Sequence, residues 1–189
     1  DTGSAVAHGF YGVKGVNVII LYPKGKVSNT QEKQLTTLDK NIYALEINGT
    51  FDDCQKLVKK SFSDKSLKSK IDLSSANSIN IARLIPQSFY YAYSYLQIEN
   101  KHMPTIFSVP CGNFGNITAG LIAKKMGLPI QQFIASTNSN DIVPNYLKTG
   151  EYNPRPSIQT ISNAMDVGDP SNMARIMNMY NSIKELQSN

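Results

Sequence analysis

The chain has 189 residues, of which 41% are hydrophobic and 17% are charged, and this composition excludes a disordered chain. Its formal charge of +5 comes from scattered lysines without interleaved arginines and aromatic residues, so we expect no nucleic-acid partner. No run reaches the roughly 18 apolar residues of a membrane span, so we expect a cytoplasmic protein with no membrane partner. The two cysteines form no disulfide framework, and the cysteines and the two distant histidines lack the spacing of metal ligands, so we expect no metal.

Helices and strands alternate in the first third of the chain. Asp1 is a candidate cap for an opening helix, and the apolar run at 16–22 is typical of a strand buried on both faces. The following predicted elements are a helix at 30–38 capped by Ser28, a strand at 41–47, and a helix at 51–62 capped by Thr50 or Asp52. This alternation predicts a parallel sheet with right-handed crossovers.

The rest of the chain continues the α/β pattern after a charged stretch at 63–69, which we expect to be a loop. The predicted elements are a long helix at 81–97, a strand at 105–109, a helix at 117–126, a strand at 130–135, a helix and turn at 141–152, and a last helix after 169–172 that ends in a polar tail. Polar side chains at 137–140 follow the second of these strands, at the sheet edge where ligands bind in open α/β sheets.

A loop with two glycines joins the strand at 105–109 to the helix that follows it. Gly112 and Gly115 would let the backbone approach an anion with no Cβ in the way, and Asn113 and Asn116 could cap the helix or donate from their amides. Such strand–loop–helix junctions bind anions, usually phosphate. The spacing is neither G-x-G-x-x-G nor a Walker loop, and a plain turn explains it equally well.

Four stretches of the sequence resemble the threonine synthases, a family of pyridoxal-phosphate (PLP) enzymes with the tryptophan-synthase-β-like fold. They are residues 1–7, 74–84, 111–116 and 162–172, and they occur in the family's order. The resemblance implies an α/β fold with two parallel-sheet lobes and flanking helices. Residues 1–63 would belong to the smaller lobe, whose boundary could extend to about 97, and residues 64–189 to the larger lobe with the phosphate-binding loop.

The resemblance also implies a function and a set of site residues. The family are carbon–oxygen lyases of threonine biosynthesis, which convert O-phospho-L-homoserine, a small-molecule substrate, and water into L-threonine and phosphate; we expect a monomer or homodimer. The implied cofactor-binding residues are Asp1, Gly112, Asn113, Phe114, Gly115 and Asn116. The implied substrate-binding residues are Thr2, Gly3, Asn77, Ser78, Asn80 and Arg83. Arg83 could bind the substrate phosphate as a bidentate donor, although an arginine in the first turns of a long helix is more often a surface or interlobe ion-pair partner.

The family's Schiff-base lysine precedes the Asp-Thr-Gly turn, so we expect it upstream of Asp1, and we expect a further family segment after Asn189. No catalytic residue is therefore assigned within this chain, which we expect to be an internal part of a longer protein and inactive alone. Two alternatives remain open: a sibling PLP-dependent dehydratase or β-eliminating enzyme, and a non-catalytic module that binds phosphate or PLP. A lysine some tens of residues before Asp1 would favour an enzyme over such a module.

Overall fold

The structure is a computed structural model that describes residues 2–188, so the predicted cap at Asp1 lies outside the described residues. Contacts between residues divide the chain into two compact units, residues 1–76 and 77–189. The expected lobe boundary near residue 63 concerns the longer protein and stays a prediction. Among the helices that the structure describes, none is long and apolar enough to cross a membrane.

The first unit is a small α/β unit with a two-stranded parallel sheet, as the sequence predicts. Its elements are α1 (Thr2–Phe10), β1 (Val18–Pro23), α2 (Asn29–Thr36), β2 (Ile42–Ile47), α3 (Phe51–Ser63) and α4 (Lys65–Lys68). Strand β1 pairs with β2 in parallel, with Val18 opposite Ile42. Ser28 and Thr50 cap α2 and α3, each through a reciprocal capping box that satisfies backbone N–H groups at the helix start.

Two expectations for this unit are wrong. Strand β1 is not buried on both faces, because Ile19 is 62% exposed while Ile20 lies in the core with Leu35. Successive side chains of a strand face opposite sides, and the buried cluster of this unit lies on one side only. The charged stretch at 63–69 is not all loop either, since α4 forms where the Asp64 side chain accepts a hydrogen bond from the N–H of Leu67.

The second unit contains the predicted strand, glycine loop and helix. Its elements are α5 (Ile81–Leu96), β3 (Ile106–Pro110), α6 (Gly115–Lys125), β4 (Gln132–Ser136), α7 (Ile142–Thr149), a 3₁₀ turn (Asn163–Met165), α8 (Met173–Met179) and α9 (Ile183–Gln187). Strands β3 and β4 pair in parallel, with Ile106 opposite Gln132. The polar tail after α8 contains a short helix, α9, which Ser182 caps by accepting from the N–H of Glu185.

Helix α6 is held close to its neighbours at Gly120. A Cβ at this position would lie 2.6 Å from ring atoms of both Phe133 and Tyr91, so only glycine permits the observed packing. The Tyr91 ring packs edge-on against Phe107 and Phe133, at centroid distances of 4.9 and 5.8 Å. This packing fixes α6 against α5 and the sheet, and with it the loop that begins the helix.

Candidate functional site

The glycine loop (residues 111–116) ends β3 and begins α6 through an uncommon backbone conformation. Phe114, the N-cap residue, is in the left-handed region with φ 57° and ψ 18°, and α6 starts at the next residue. A left-handed residue followed by a right-handed one turns successive N–H groups to one side and forms an anion-binding nest. In this loop those N–H groups belong to Phe114, Gly115 and Asn116, at the positive end of the α6 dipole.

The start of α6 has no side-chain cap. Phe114 has no polar side-chain atom, and the structure shows no side-chain cap hydrogen bond at this N-cap position. The expected capping by Asn113 or Asn116 is wrong. The Asn116 amide oxygen instead accepts from the Tyr91 hydroxyl at 2.7 Å, and the Asn113 side chain is occupied elsewhere. The helix start therefore lacks the side-chain cap that most helices use.

Asn113 fastens the loop to two other stretches of the unit. Its Oδ1 accepts from the N–H of Ser171 at 2.6 Å and from the Ser171 hydroxyl at 3.0 Å. Its Nδ2 donates to the Ser78 hydroxyl, and its backbone carbonyl accepts from Nδ2 of Asn172 at 2.9 Å. Because both ends of this side chain and the carbonyl are bound, Asn113 holds the strained Phe114 conformation in place.

Asn172 and Arg175 extend this network. Asn172 is fully buried, and its Oδ1 accepts from Nη1 of Arg175 at 2.7 Å. Arg175 also donates to the backbone carbonyls of Ser78, at 3.4 Å, and Ile79. The structure thus brings the expected substrate stretch around Ser78 next to the glycine loop. The sequence analysis gave no role to Ser171, Asn172 or Arg175, although the first two lie in a stretch that carries the family resemblance.

The two glycines serve close packing within the protein. A Cβ on Gly112 would lie 2.7 Å from the Cα of Met165, and a Cβ on Gly115 would lie 3.2 Å from the Cβ of Ser78. The space left by the missing Cβ atoms is therefore occupied by protein, which differs from the expectation that an anion occupies it. The N–H groups of the loop, rather than the glycine Cα faces, are what the loop offers to an anion.

Polar residues after β4 hold the segment that covers Gly112. Asp166 Oδ1 accepts from Nδ2 of Asn138 at 2.8 Å, from Nδ2 of Asn140 at 3.2 Å and from the Thr160 hydroxyl at 2.7 Å. Its Oδ2 accepts from the N–H of Thr160 at 2.8 Å. Asp166 follows Met165 directly, so the predicted polar sheet edge fixes the position of Met165 over the loop.

The remaining expected site residues lie in both units. Asn80 caps α5, its Oδ1 accepting from the N–H of Ala82 at 3.0 Å, and half-buried Arg83 follows in the first turn, where burial lowers the guanidinium pKa. Asn77 is half-buried and precedes that helix. Thr2 and Gly3 begin α1 of the first unit, and Asp1 lies outside the described residues.

Cys111 is next to the loop but cannot act as a nucleophile at neutral pH. Its side chain is 3% exposed, and burial raises the pKa of the thiol to about 12. Since the thiolate is the reactive form, this cysteine stays inert. Within residues 2–188 the structure also contains no group of three or more His, Cys, Asp or Glu residues that could hold a metal ion.

Curated relatives of the chain are threonine synthases. Threonine synthase from Buchnera aphidicola subsp. Schizaphis graminum is 59% identical over 181 residues, which are 95% of this chain and 42% of that protein. The enzyme from Escherichia coli K12 is 50% identical over 181 residues, with the same two coverages. These identities confirm the resemblance seen in the sequence, and the chain spans about two fifths of the length of these relatives.

Solved structures agree with the sequence relatives. The crystal structure of threonine synthase from Escherichia coli superposes with a TM-score of 0.91 at 47% identity, covering 98% of this chain and 44% of that one. A PLP-bound threonine synthase from Brucella melitensis gives a TM-score of 0.77 at 44% identity, covering 93% and 38%. A sequence profile of the family described as pyridoxal-phosphate dependent enzyme matches residues 1–185. Since that match spans nearly the whole chain, the chain belongs to the family of pyridoxal-phosphate dependent enzymes.

Proposed function

We propose that this chain is the part of a threonine synthase that binds the cofactor phosphate. The complete enzyme would convert O-phospho-L-homoserine and water into L-threonine and phosphate. The observation that carries the proposal is the identity of 59% to a threonine synthase over 95% of this chain. We further propose a cytoplasmic enzyme that is a monomer or homodimer, in which residues 1–63 belong to the smaller lobe and residues 64–189 to the larger lobe.

The glycine loop fits the phosphate group of PLP. Its N–H groups at Phe114, Gly115 and Asn116 form a nest at an uncapped helix start, and such a concavity favours a dianion. The backbone of Gly112 and the restraints at Asn113 complete the loop. When bound, PLP supplies an electron sink for negative charge that develops on carbon atoms of the substrate.

The residues of this chain would bind and orient rather than form covalent bonds. The nest and the α6 dipole hold the phosphate, and the bonds around Asn113 fix the loop before the ligand arrives, which lowers the ordering cost of binding. Arg83 would bind the substrate phosphate through its planar guanidinium, with Asn77, Ser78 and Asn80 beside it. Thr2 and Gly3 would bind the substrate carboxylate, and Asp1 would lie by the cofactor ring.

A chimera tests this proposal directly. The matching segment of the Escherichia coli threonine synthase is replaced by residues 1–189, and the purified chimera is supplied with PLP and O-phospho-L-homoserine. We expect release of one phosphate for each L-threonine formed. The control replaces Arg83 with Gln in the same chimera, which should raise the KM for the phosphorylated substrate because a charged hydrogen-bond donor is lost.

The products distinguish the alternative functions. A sibling dehydratase would release 2-oxobutanoate and ammonia from L-threonine instead of forming L-threonine. A non-catalytic module would bind PLP without turning over either substrate. A folded chimera that retains PLP and forms no L-threonine would contradict the proposed function. A KM for O-phospho-L-homoserine that Arg83→Gln leaves unchanged would contradict the assignment of Arg83 to the substrate phosphate.

A further inference from the structure

Arg175 is a half-buried cation that stabilises the network behind the glycine loop. Its guanidinium donates to Asn172 Oδ1 at 2.7 Å and to the carbonyls of Ser78 and Ile79, so three neutral oxygen atoms surround it. The ion pairs found within residues 2–188 do not include Arg175. Its positive charge is therefore not neutralised by a neighbouring carboxylate of the described chain.

The position of Arg175 affects the loop through Asn172. Asn172 is fully buried and donates from Nδ2 to the carbonyl of Asn113. The described residues contain no cis peptide bond, and in a planar trans peptide the N–H points opposite to the C=O. Fixing the Asn113 carbonyl towards Asn172 therefore fixes the N–H of Phe114 away from it. That N–H is the first of the three donors in the nest.

We propose that Arg175 is a positioning residue for the phosphate of PLP, acting through Asn172 on the direction of the Phe114 N–H. The left-handed conformation of Phe114 is unfavourable for a non-glycine residue and persists only under such restraints. This inference rests on the proposed binding of PLP phosphate by the glycine loop, and it requires no contact between Arg175 and the cofactor.

The test compares two ligands that differ only by the phosphate group. Dissociation constants for PLP and for pyridoxal are measured in the chimera and in its Arg175→Gln, Asn172→Ala and doubly substituted variants. We expect each single variant to weaken PLP binding by about ten- to a hundredfold, the range for loss of a hydrogen bond to a charged group, with pyridoxal binding changed less than twofold. The double variant should weaken PLP binding no further than the stronger single variant, because both act on one path.

Lys148→Gln is the matched control, because it removes an exposed lysine from α7 of the same unit. It should leave both dissociation constants unchanged. Circular dichroism verifies that each variant is folded. If Arg175→Gln does not fold, Arg175→Lys takes its place in the comparison. We expect Arg175→Lys to weaken PLP binding by at least threefold, because an ammonium lacks the planar fork that reaches several oxygen atoms.

The outcomes separate this inference from the proposed function. If the unsubstituted chimera binds PLP more tightly than pyridoxal and Arg175→Gln or Arg175→Lys behaves like the Lys148→Gln control, the inference is overturned and the proposed function stands. Additive effects of the two substitutions would overturn the path through Asn172. If the unsubstituted chimera does not prefer PLP to pyridoxal, both the loop assignment and the inference fail.

Discussion

Replacing Gly112 with alanine should destabilise the protein by forcing apart two segments, at Gly112 and Met165, that lie 53 residues apart in sequence. The new Cβ would lie 2.7 Å from the Cα of Met165 and 3.3 Å from its C and Cβ atoms, closer than the ordinary contact range of 3.4–4 Å. Relieving this overlap requires the backbone to move by about 0.7 Å, from 2.7 to 3.4 Å. The neighbouring residue, Asp166, resists that movement because its side chain accepts four hydrogen bonds. Overpacking of this kind costs about 1–3 kcal/mol. Because the obstacle is restrained backbone, we expect a loss of about 3 kcal/mol in the free energy of unfolding.

Urea unfolding, followed by circular dichroism, measures this loss against a matched glycine. A Cβ on Gly9 would meet nothing within 4 Å, and Gly9 lies inside α1, so Gly9→Ala should be neutral or stabilise by up to about 1 kcal/mol. Gly112→Ala should also weaken PLP binding, since the loop moves with the displaced segment. A Gly112→Ala protein within 0.5 kcal/mol of the parent would refute the packing interpretation of this glycine.

Three further substitutions test the surroundings of the loop. Asp166→Asn should lower the free energy of unfolding by about 2 kcal/mol, because an amide nitrogen replaces an oxygen that accepts hydrogen bonds, whereas exposed Asp169→Asn should change it by less than 1 kcal/mol in the same urea titration. Tyr91→Phe removes the hydroxyl that donates to Oδ1 and to the carbonyl of Asn116, and it should lower the free energy of unfolding by about 1–2 kcal/mol. Tyr93→Phe, at a residue that is 68% exposed, should cause no measurable change. Equal effects of the two substitutions would contradict the role of the Tyr91 hydroxyl. Cys111→Ala should remove part of the pH dependence of the free energy of unfolding. Burial raises the pKa of the Cys111 thiol to about 12 in the folded state, from an ordinary value of 9.0 in the unfolded state. Above pH 9 the unfolded state therefore binds fewer protons than the folded state, and stability falls as the pH rises. By pH 10.5 the parent should have lost about 2 kcal/mol of unfolding free energy through this thiol, at about 1.36 kcal/mol per pH unit. If the parent and Cys111→Ala lose the same free energy of unfolding between pH 9 and 10.5, the effect of burial on this thiol is contradicted.

The alternation of helices and strands was predictable because local patterns determine it. Apolar runs such as that of β1, caps such as Ser28 and Thr50, and the glycines after β3 act over a few residues, and the structure confirms the elements that they indicate. The exposed side of β1 was not predictable. A continuous apolar run indicates that a strand can be buried on both faces, but not which part of the chain covers each face.

The restraints on the glycine loop were not predictable from sequence, because they join residues far apart in the chain. Asn113 bonds to Ser171, which is 58 residues away, whereas local reasoning offered only helix capping or donation from the amide to an anion. The left-handed conformation of Phe114 has no local signal, since a buried aromatic residue rarely adopts it. The stretch at 162–172 contributed to the family resemblance, but nothing in the sequence placed it beside the loop.

A crystal structure of the chimera with bound PLP tests the central claim most directly. The account predicts phosphate oxygen atoms within 2.7–3.2 Å of the backbone nitrogen atoms of Phe114, Gly115 and Asn116, in a loop still held by Asn113 and Asn172. A phosphate bound away from these three nitrogen atoms, with the loop N–H groups facing only solvent, would contradict it.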